Sequence, residues 1–424
     1  MEPNPPNNAR AATRTLVSST DQLPSLTSLR GVAALWVVIY HYSVQCFPTL
    51  DITGTTYFFH KGYLAVDMFF MLSGFVLTHV YHRKFLDDVA GNYRGFVVAR
   101  IARIYPLHVL ILLLFVATAV AAHWNGGHVN ALEKIPLWGS ESVAAFFANI
   151  FLVQGLDAGQ LSWNYPSWSI SVEFMAYLLF PFVLPMIWRA NTAAKWMLAC
   201  LLLGALWLFA TIAKDNFDQW DGPIVLMRCF PEFVLGSLLY CAFRGAPKGI
   251  GIEHDATVFG LLLVTLALLH FGVADLLVTV LFALLILAAV RNTGRFAAWA
   301  NVRPLVWLGD ISYSIYLIHS FVQFLGTKLL GRFGMHKAQL AALSPEKSLA
   351  LMVPMLALCL IAAHLSYYAF EIRSRRYVRD LLGGKPKSRL PAWLKTQPQP
   401  YARLQVASTQ RVTPPPPSRG RAAY

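Results

Sequence analysis

An imidazole able to act as a base lies inside an apolar stretch of the chain. His41 follows Arg30 by eleven residues within one apolar run. Eleven steps of an α-helix return to nearly the same face, about 16 Å further along the axis. A buried imidazole tends to stay neutral, and it can then accept the proton of an attacking hydroxyl group. The pattern favours a catalytic base at His41 over a histidine that merely packs through a hydrogen bond.

Three other ionisable side chains lie in apolar stretches: Asp67, Glu173 and His319. Glu173 and His319 are predicted at a depth similar to that of His41. Glu173, or Asp67 in its place, is expected to orient or charge-stabilise the His41 imidazole, as a carboxylate does in a triad, and His319 is a further catalytic candidate. Asp67 also shares a helix face with Gly74, where another helix or a ligand could approach closely. A structural ion pair is the alternative for each of them.

Several arginines lie at the ends of apolar stretches. Arg100 and Arg103 are three residues apart and therefore lie on one helix face. Planar guanidinium groups bind phosphates through paired hydrogen bonds, so both are candidate phosphate ligands, with Arg30 as an aid. The alternative is the excess of basic residues that cytoplasmic loops of membrane proteins carry. A further pair, Arg228 and Glu232, is expected to neutralise itself within the bundle.

These side chains need membrane helices to position them. Of the 424 residues, 56% are hydrophobic and 13% are charged, whereas soluble domains carry about 25% charged residues. The composition excludes soluble domains, a fully disordered chain and a collagen-like chain. The apolar residues form blocks long enough to cross a bilayer. Ten such blocks lie at roughly 29–47, 62–82, 104–124, 168–188, 194–213, 225–243, 256–271, 273–290, 305–325 and 348–370.

The apolar run 142–156 is short for a span. We interpret it as a re-entrant or interfacial helix, because counting it as a span would place the arginine-rich loops on the external side. The predicted fold is therefore all-α, a polytopic membrane protein with about ten transmembrane helices and one short re-entrant or interfacial helix. Both termini are predicted in the cytoplasm.

Three regions are predicted along the chain. Residues 1–23 form an N-terminal tail, 24–372 the membrane domain, and 373–424 a basic, proline-rich tail, and both tails are expected to be disordered. The net charge of +14 lies in loops and tails, where it sets orientation, so no nucleic-acid partner is expected. The five cysteines are scattered, so no metal site is predicted.

Taken together, the motifs resemble the integral-membrane acyltransferase-3 family of bacterial envelope O-acyltransferases. The resemblance covers about residues 24–372. The motifs that carry it are Arg30 and His41 with ten residues between them, FFMLSGF at 69–75, RIARIYP at 100–106, PSWSISVE at 166–173 and LGDISYSIYLIH at 308–319.

The resemblance implies an acyltransferase of the bacterial inner membrane with ten helices. Its donor would be cytoplasmic acyl-CoA, usually acetyl-CoA, with no permanently bound cofactor, and its acceptor a hydroxyl of a glycan or glycolipid. His41 would then be a general base or would carry the acyl group covalently. The alternative is a proton-coupled transporter or exporter of an anionic metabolite or lipid-linked sugar. The sequence shows no internal repeat, which weakens that alternative.

Overall fold

The computed structural model describes residues 23–125, 141–156, 162–214, 217–218, 222–245, 247, 249 and 251–383. These residues form fifteen α-helices and no β-strand. The helices are α1 Pro24–Gln45, α2 Ala65–Asp87, α3 Val89–Asn125, α4 Val143–Ile150, α5 Trp168–Arg189, α6 Thr192–Ile212, α7 Leu226–Gly245, α8 Asp255–Phe271, α9 Asp275–Arg291, α10 Arg295–Ala300, α11 Arg303–Asp310, α12 Ser312–Arg332, α13 Lys337–Ala341, α14 Pro345–Ser366 and α15 Ile372–Leu382.

The all-helical prediction is confirmed for the described residues. Six helical stretches there are long and apolar enough to cross a membrane, and a seventh is gained if α11 and α12 are counted as one span. The predicted count of about ten spans is not confirmed. Helices α8 and α9 have only 17 residues each, and α1 carries several polar side chains.

The short apolar run 142–156 folds as the eight-residue helix α4 followed by a single helical turn. Eight helical residues extend about 12 Å, which is too short to cross a bilayer. The Ser142 hydroxyl caps α4 by accepting a hydrogen bond from the Ala145 amide at 3.0 Å. On α3, His108 contacts the Asn149 carbonyl at 3.0 Å and joins α4 to that long helix. The run is therefore too short to be a span, as its length predicted, and its re-entrant or interfacial position stays a prediction.

Helices α2 and α7 pack backbone to backbone through two glycines. A Cβ added to Gly74 would overlap the Phe233 carbonyl oxygen, and one added to Gly236 would overlap the Met71 carbonyl oxygen. Small residues permit this close approach between membrane helices. The prediction that the face carrying Gly74 allows a close approach is confirmed, and its neighbour is a helix.

The predicted block 305–325 is broken into two helices. The axes of α11 and α12 differ by 65°, with Ile311 between them. At the break, Arg30 of α1 donates from Nη2 to the Gly309 carbonyl at 3.1 Å and from Nε to the Ser312 hydroxyl at 3.0 Å. The last carbonyl groups of a helix lack partners within it, so Arg30 satisfies one of them and stabilises the bend.

The predicted disordered tail needs a correction at its start. Residues 372–382 form helix α15, which continues α14 through a π-helical turn, Tyr367–Glu371, and packs along α3. Apolar and basic residues of this segment alternate at helical spacing, which is typical of an amphipathic helix. Its residues Ile372, Ser374 and Val378 are half-buried. Residues 1–22 and 384–424 lie outside the described residues.

The glycine contact gives a stability prediction. Gly74→Ala should lower the free energy of unfolding by about 1–3 kcal/mol, because the methyl group meets a backbone oxygen that cannot move aside. Gly204→Ala on α6 is the matched control, since a Cβ there meets no atom within 4 Å. The check is thermal unfolding of the detergent-purified protein. Equal melting temperatures for the two variants would contradict the assigned packing.

Candidate active site

The structure brings two of the predicted residues into direct contact. His319 Nε2 lies 3.0 Å from His41 Nδ1. The two rings stack with their centroids 5.0 Å apart and their planes 19° from parallel. Helices α1 and α12 hold them side by side, and the Tyr42 hydroxyl ties the two helices by donating to the His319 carbonyl at 3.0 Å. His319 is fully buried, whereas His41 is half-buried.

The hydrogen bonds of this pair determine which ring nitrogen of His41 is available. His319 Nδ1 lies 2.7 Å from the Tyr316 carbonyl oxygen, which can only accept, so Nδ1 is assigned as protonated. In a neutral ring, Nε2 of His319 is then the acceptor. Its partner, Nδ1 of His41, must therefore be the donor. His41 is left with an unprotonated Nε2, the nitrogen that a general base needs.

His41 lines a cleft. The Tyr165 ring packs edge-on against the His41 ring, with the centroids 5.0 Å apart. The cleft combines aromatic rings with carboxylate, amide and guanidinium groups. Its lining includes Tyr40, His41, Gln45, Tyr165, Asp218 and Arg228. A small molecule with several hydroxyl groups would find both apolar walls and hydrogen-bonding partners there.

Asp67 does not orient His41, which corrects the alternative given for it. Its carboxylate binds Arg228 in a paired arrangement, with Nε donating at 2.8 Å and Nη2 at 2.6 Å. Both side chains are at most 1% exposed. Arg228 makes its ion pair with Asp67 and not with Glu232 as expected, although Glu232 interacts with it electrostatically. A buried guanidinium is best satisfied by two parallel hydrogen bonds, which Asp67 provides across the close α2–α7 contact.

Arg228 also fixes one wall of the cleft. It donates from Nη1 to the Phe217 carbonyl, and the Phe217 amide donates to Asp275 at 2.8 Å. The next residue, Asp218, accepts a 2.7 Å hydrogen bond from the Tyr40 hydroxyl. This contact of Arg228 was not predicted from the sequence. Its spacing from Glu232 suggested a local pair, and only the tertiary structure brings residue 217 beside it.

Glu173 also lies away from the histidine pair. Its Oε1 accepts hydrogen bonds from the Ser73 hydroxyl of α2 and, at 2.6 Å, from the Tyr177 hydroxyl one turn along α5. Among the described hydrogen bonds, none joins it to His41, so the triad-like arrangement is not formed. Its charged neighbours are Arg100 and Arg30, which interact with it electrostatically. Glu173 therefore belongs to the end of the site where the arginines lie.

Arg103 forms an ion pair within the protein. It donates from Nη1 to Oε1 of Glu371, which is 2% exposed, and its guanidinium lies 5.1 Å from the Tyr313 ring centroid. The second oxygen of Glu371 accepts from the Ser314 hydroxyl at 2.8 Å. Glu371 was not among the predicted site residues, although an acidic residue at the end of the last apolar block is a signal of a functional site.

Arg100 is held mainly by aromatic rings. Its Nη2 donates to the Tyr81 hydroxyl at 3.3 Å, and its guanidinium lies 5.5 to 5.9 Å from the ring centroids of Tyr81, Phe96 and Tyr177. Its Nε is buried and makes no hydrogen bond within the described part of the chain. Each of the three predicted phosphate ligands therefore binds a protein oxygen, and Arg100 in addition has a buried donor without an acceptor in the described part of the chain.

The comparisons with known proteins agree on the type of enzyme. A family model described as an acyltransferase domain matches residues 23–364. Acyltransferase MdmB of Streptomyces mycarofaciens is 28% identical over 381 residues, covering 82% of this chain and 91% of its own length. O-acetyltransferase OatA of Staphylococcus aureus is 23% identical over 325 residues, covering 70% of this chain.

A putative O-acetyltransferase of Staphylococcus aureus strain COL is 25% identical over 322 residues, covering 70% of this chain. The chain spans about half the length of this relative and of OatA, with 50% of each covered. No solved structure matches the chain.

The buried ion pair gives the second prediction. Arg228→Met should destabilise the protein by about 3–5 kcal/mol, because it leaves the Asp67 carboxylate buried without its partner. The double variant Asp67→Leu with Arg228→Met should regain much of this loss, since neither charge then remains. Thermal unfolding in detergent measures both, with the exposed Arg376→Met as control. A double variant no more stable than Arg228→Met alone would contradict the pairing.

Proposed function

The chain belongs to this acyltransferase family, and we propose that it transfers an acyl group, acetyl in the first instance, from cytoplasmic acyl-CoA to a hydroxyl of an envelope or secreted glycan. The observation that carries the proposal is the histidine pair at the cleft, which leaves Nε2 of His41 free to take a proton. The names of two relatives as O-acetyltransferases support a hydroxyl acceptor.

His41 acts as the general base of the transfer. The acceptor hydroxyl lies within about 2.6–3.2 Å of Nε2 and gives up its proton there as its oxygen attacks the thioester carbonyl carbon. The new carbon–oxygen bond forms and the carbon–sulfur bond breaks. The sulfur of coenzyme A leaves with the electron pair and takes the proton from His41, so that the products are the ester and the free thiol.

His319 is the positioning residue for this base. By accepting the Nδ1 proton of His41, it fixes the tautomer and the orientation of the ring, a task that a carboxylate performs in a serine-protease triad. A neutral imidazole supplies orientation without a full negative charge. In a triad, a carboxylate would balance the positive charge of the imidazolium that forms during transfer. Here the two stacked rings can share that charge.

The cleft is suited to a sugar. The Tyr40, Tyr165 and Trp168 rings line it, and aromatic rings pack well against the carbon–hydrogen side of a pyranose. Asp218 and Gln45 offer carboxylate and amide groups for its hydroxyls. This combination supports a glycan or glycolipid acceptor. The acyltransferase relatives favour an enzyme over the transporter alternative.

The donor enters from the arginine end, the part of the site where Arg30, Arg100 and Arg103 lie. Arg30 and His41 lie on one helix, about 16 Å apart along its axis, a distance that the extended pantetheine arm can span. Arg100 is the leading phosphate ligand because its Nε lacks a partner in the described residues. Arg103 and Arg30 shape that end through Glu371 and the α11–α12 break. This arrangement requires the arginine end to face the cytoplasm of the inner membrane.

The third prediction tests the base. His41→Ala should lower the rate of acyl transfer by about 10²–10⁴-fold while the protein still folds and binds acyl-CoA. His319→Gln should retain more activity than His319→Ala, because the glutamine oxygen can accept the His41 Nδ1 proton. The rates are measured as thiol release from acetyl-CoA in the presence of an acceptor.

Two outcomes would count against this mechanism. A His41→Ala variant with more than half the wild-type rate would remove His41 from the reaction. Stable radioactive labelling of the wild-type chain by acetyl-CoA without acceptor, absent in His41→Ala, would make His41 a covalent carrier of the acyl group.

The fourth prediction tests the orientation in the membrane. The exposed positions Gly54 and Asp87 flank α2 on opposite ends. In a chain whose own cysteines are replaced, Gly54→Cys should react with an impermeant maleimide in spheroplasts, and Asp87→Cys only after permeabilisation. The reverse pattern would place the arginine end outside and contradict a cytoplasmic donor.

A further inference from the structure

Helix α15 brings another arginine to the arginine end of the site. Glu371, in the π-helical turn before α15, is buried and binds Arg103 and Ser314. Arg375 follows Glu371 by four residues and therefore lies on the same helix face. Helix α15 packs along α3, which carries Arg103. Both Glu371 and Arg375 lie beyond residue 364, where the match to the family model ends.

The charges at this end do not balance. Arg375 interacts electrostatically with Arg103 and Arg100, which repel it, and with Glu371, which attracts it. Four arginines and three carboxylates interact electrostatically at this end and leave a net charge of +1: Arg30, Arg100, Arg103, Arg375, Glu173, Asp310 and Glu371. Guanidinium groups this close raise each other's energy unless an anion lies between them. The carboxylate beside Arg375, Glu371, already accepts hydrogen bonds from Arg103 and Ser314, and Glu173 accepts from Ser73 and Tyr177.

One hydrogen-bond donor at this end also lacks an acceptor. The Nε of Arg100 is buried without an acceptor in the described part of the chain. Arg375 is exposed at the edge, whereas Arg100 is half-buried beside Tyr177. An anion with several oxygens, extending from the edge inward, would satisfy both groups. Phosphate groups have this chemistry, and guanidinium forks bind them with paired hydrogen bonds.

We propose that Arg375 binds the 3′-phosphate of the coenzyme A donor, while Arg100 binds its pyrophosphate. The inference rests on the proposed acyl-CoA donor. The 3′-phosphate is the phosphate on the ribose, further from the thioester than the pyrophosphate. It therefore pairs with the exposed Arg375, and the pyrophosphate with the deeper Arg100. Helix α15 thus completes the donor site from outside the matched domain.

Binding of coenzyme A and of dephospho-coenzyme A, which lacks the 3′-phosphate, tests the assignment on the purified full-length protein. The wild-type protein should bind coenzyme A about tenfold or more tightly than dephospho-coenzyme A, the range expected for a charge-assisted hydrogen bond. Arg375→Ala should abolish that preference and leave the affinity for dephospho-coenzyme A unchanged. Arg100→Ala should weaken the binding of both.

The control variant is Arg373→Ala. This exposed arginine lies on another face of α15 and donates to the Ala369 carbonyl at 3.3 Å, so its loss should leave the preference intact. If the wild-type protein binds both compounds equally, or if Arg375→Ala keeps the preference, the role of Arg375 is refuted while the acyl-CoA donor stands. Failure of the wild-type protein to bind either compound refutes both proposals.

Discussion

Asp67 and Arg228 form an ion pair between α2 and α7, where both side chains are withdrawn from solvent. Such a pair is tolerated only when its geometry is good and its remaining hydrogen-bonding groups are satisfied. The glycines at 74 and 236 bring the two helices close enough for paired hydrogen bonds. Arg228 then has a donor left for the Phe217 carbonyl, so one interaction holds the central helices together and also places a wall of the cleft.

Helices α1 and α12 run in the same direction and carry polar side chains at two levels. At one level, Arg30 binds the α11–α12 break through Gly309 and Ser312. At the other level, His41 meets His319. Because the two helices are parallel, a residue near the start of α1 contacts the start of α12, and a residue further along α1 contacts a residue further along α12. This arrangement separates, within one bundle, the level of Arg30 from the level of the histidine pair, where we propose phosphate binding and proton transfer respectively.

The two carboxylates expected beside His41 have other partners, and the reason is physical. A carboxylate in an apolar interior takes whatever donors satisfy it best. Asp67 obtains two from Arg228, and Glu173 obtains two hydroxyl donors from Ser73 and Tyr177. The imidazole of His41 is therefore oriented by a second histidine, whose other nitrogen is fixed by a backbone carbonyl.

The sequence alone determined the all-helical class, the short helix after 142, the close contact at Gly74 and the candidate residues, because apolar length and helical periodicity are local properties. It did not determine which candidates meet. The pairing of His41 with His319, of Asp67 with Arg228 and of residue 103 with 371 joins positions far apart in the chain. Only the tertiary structure decides these pairs, since each buried polar group selects its partner from all the helices packed around it.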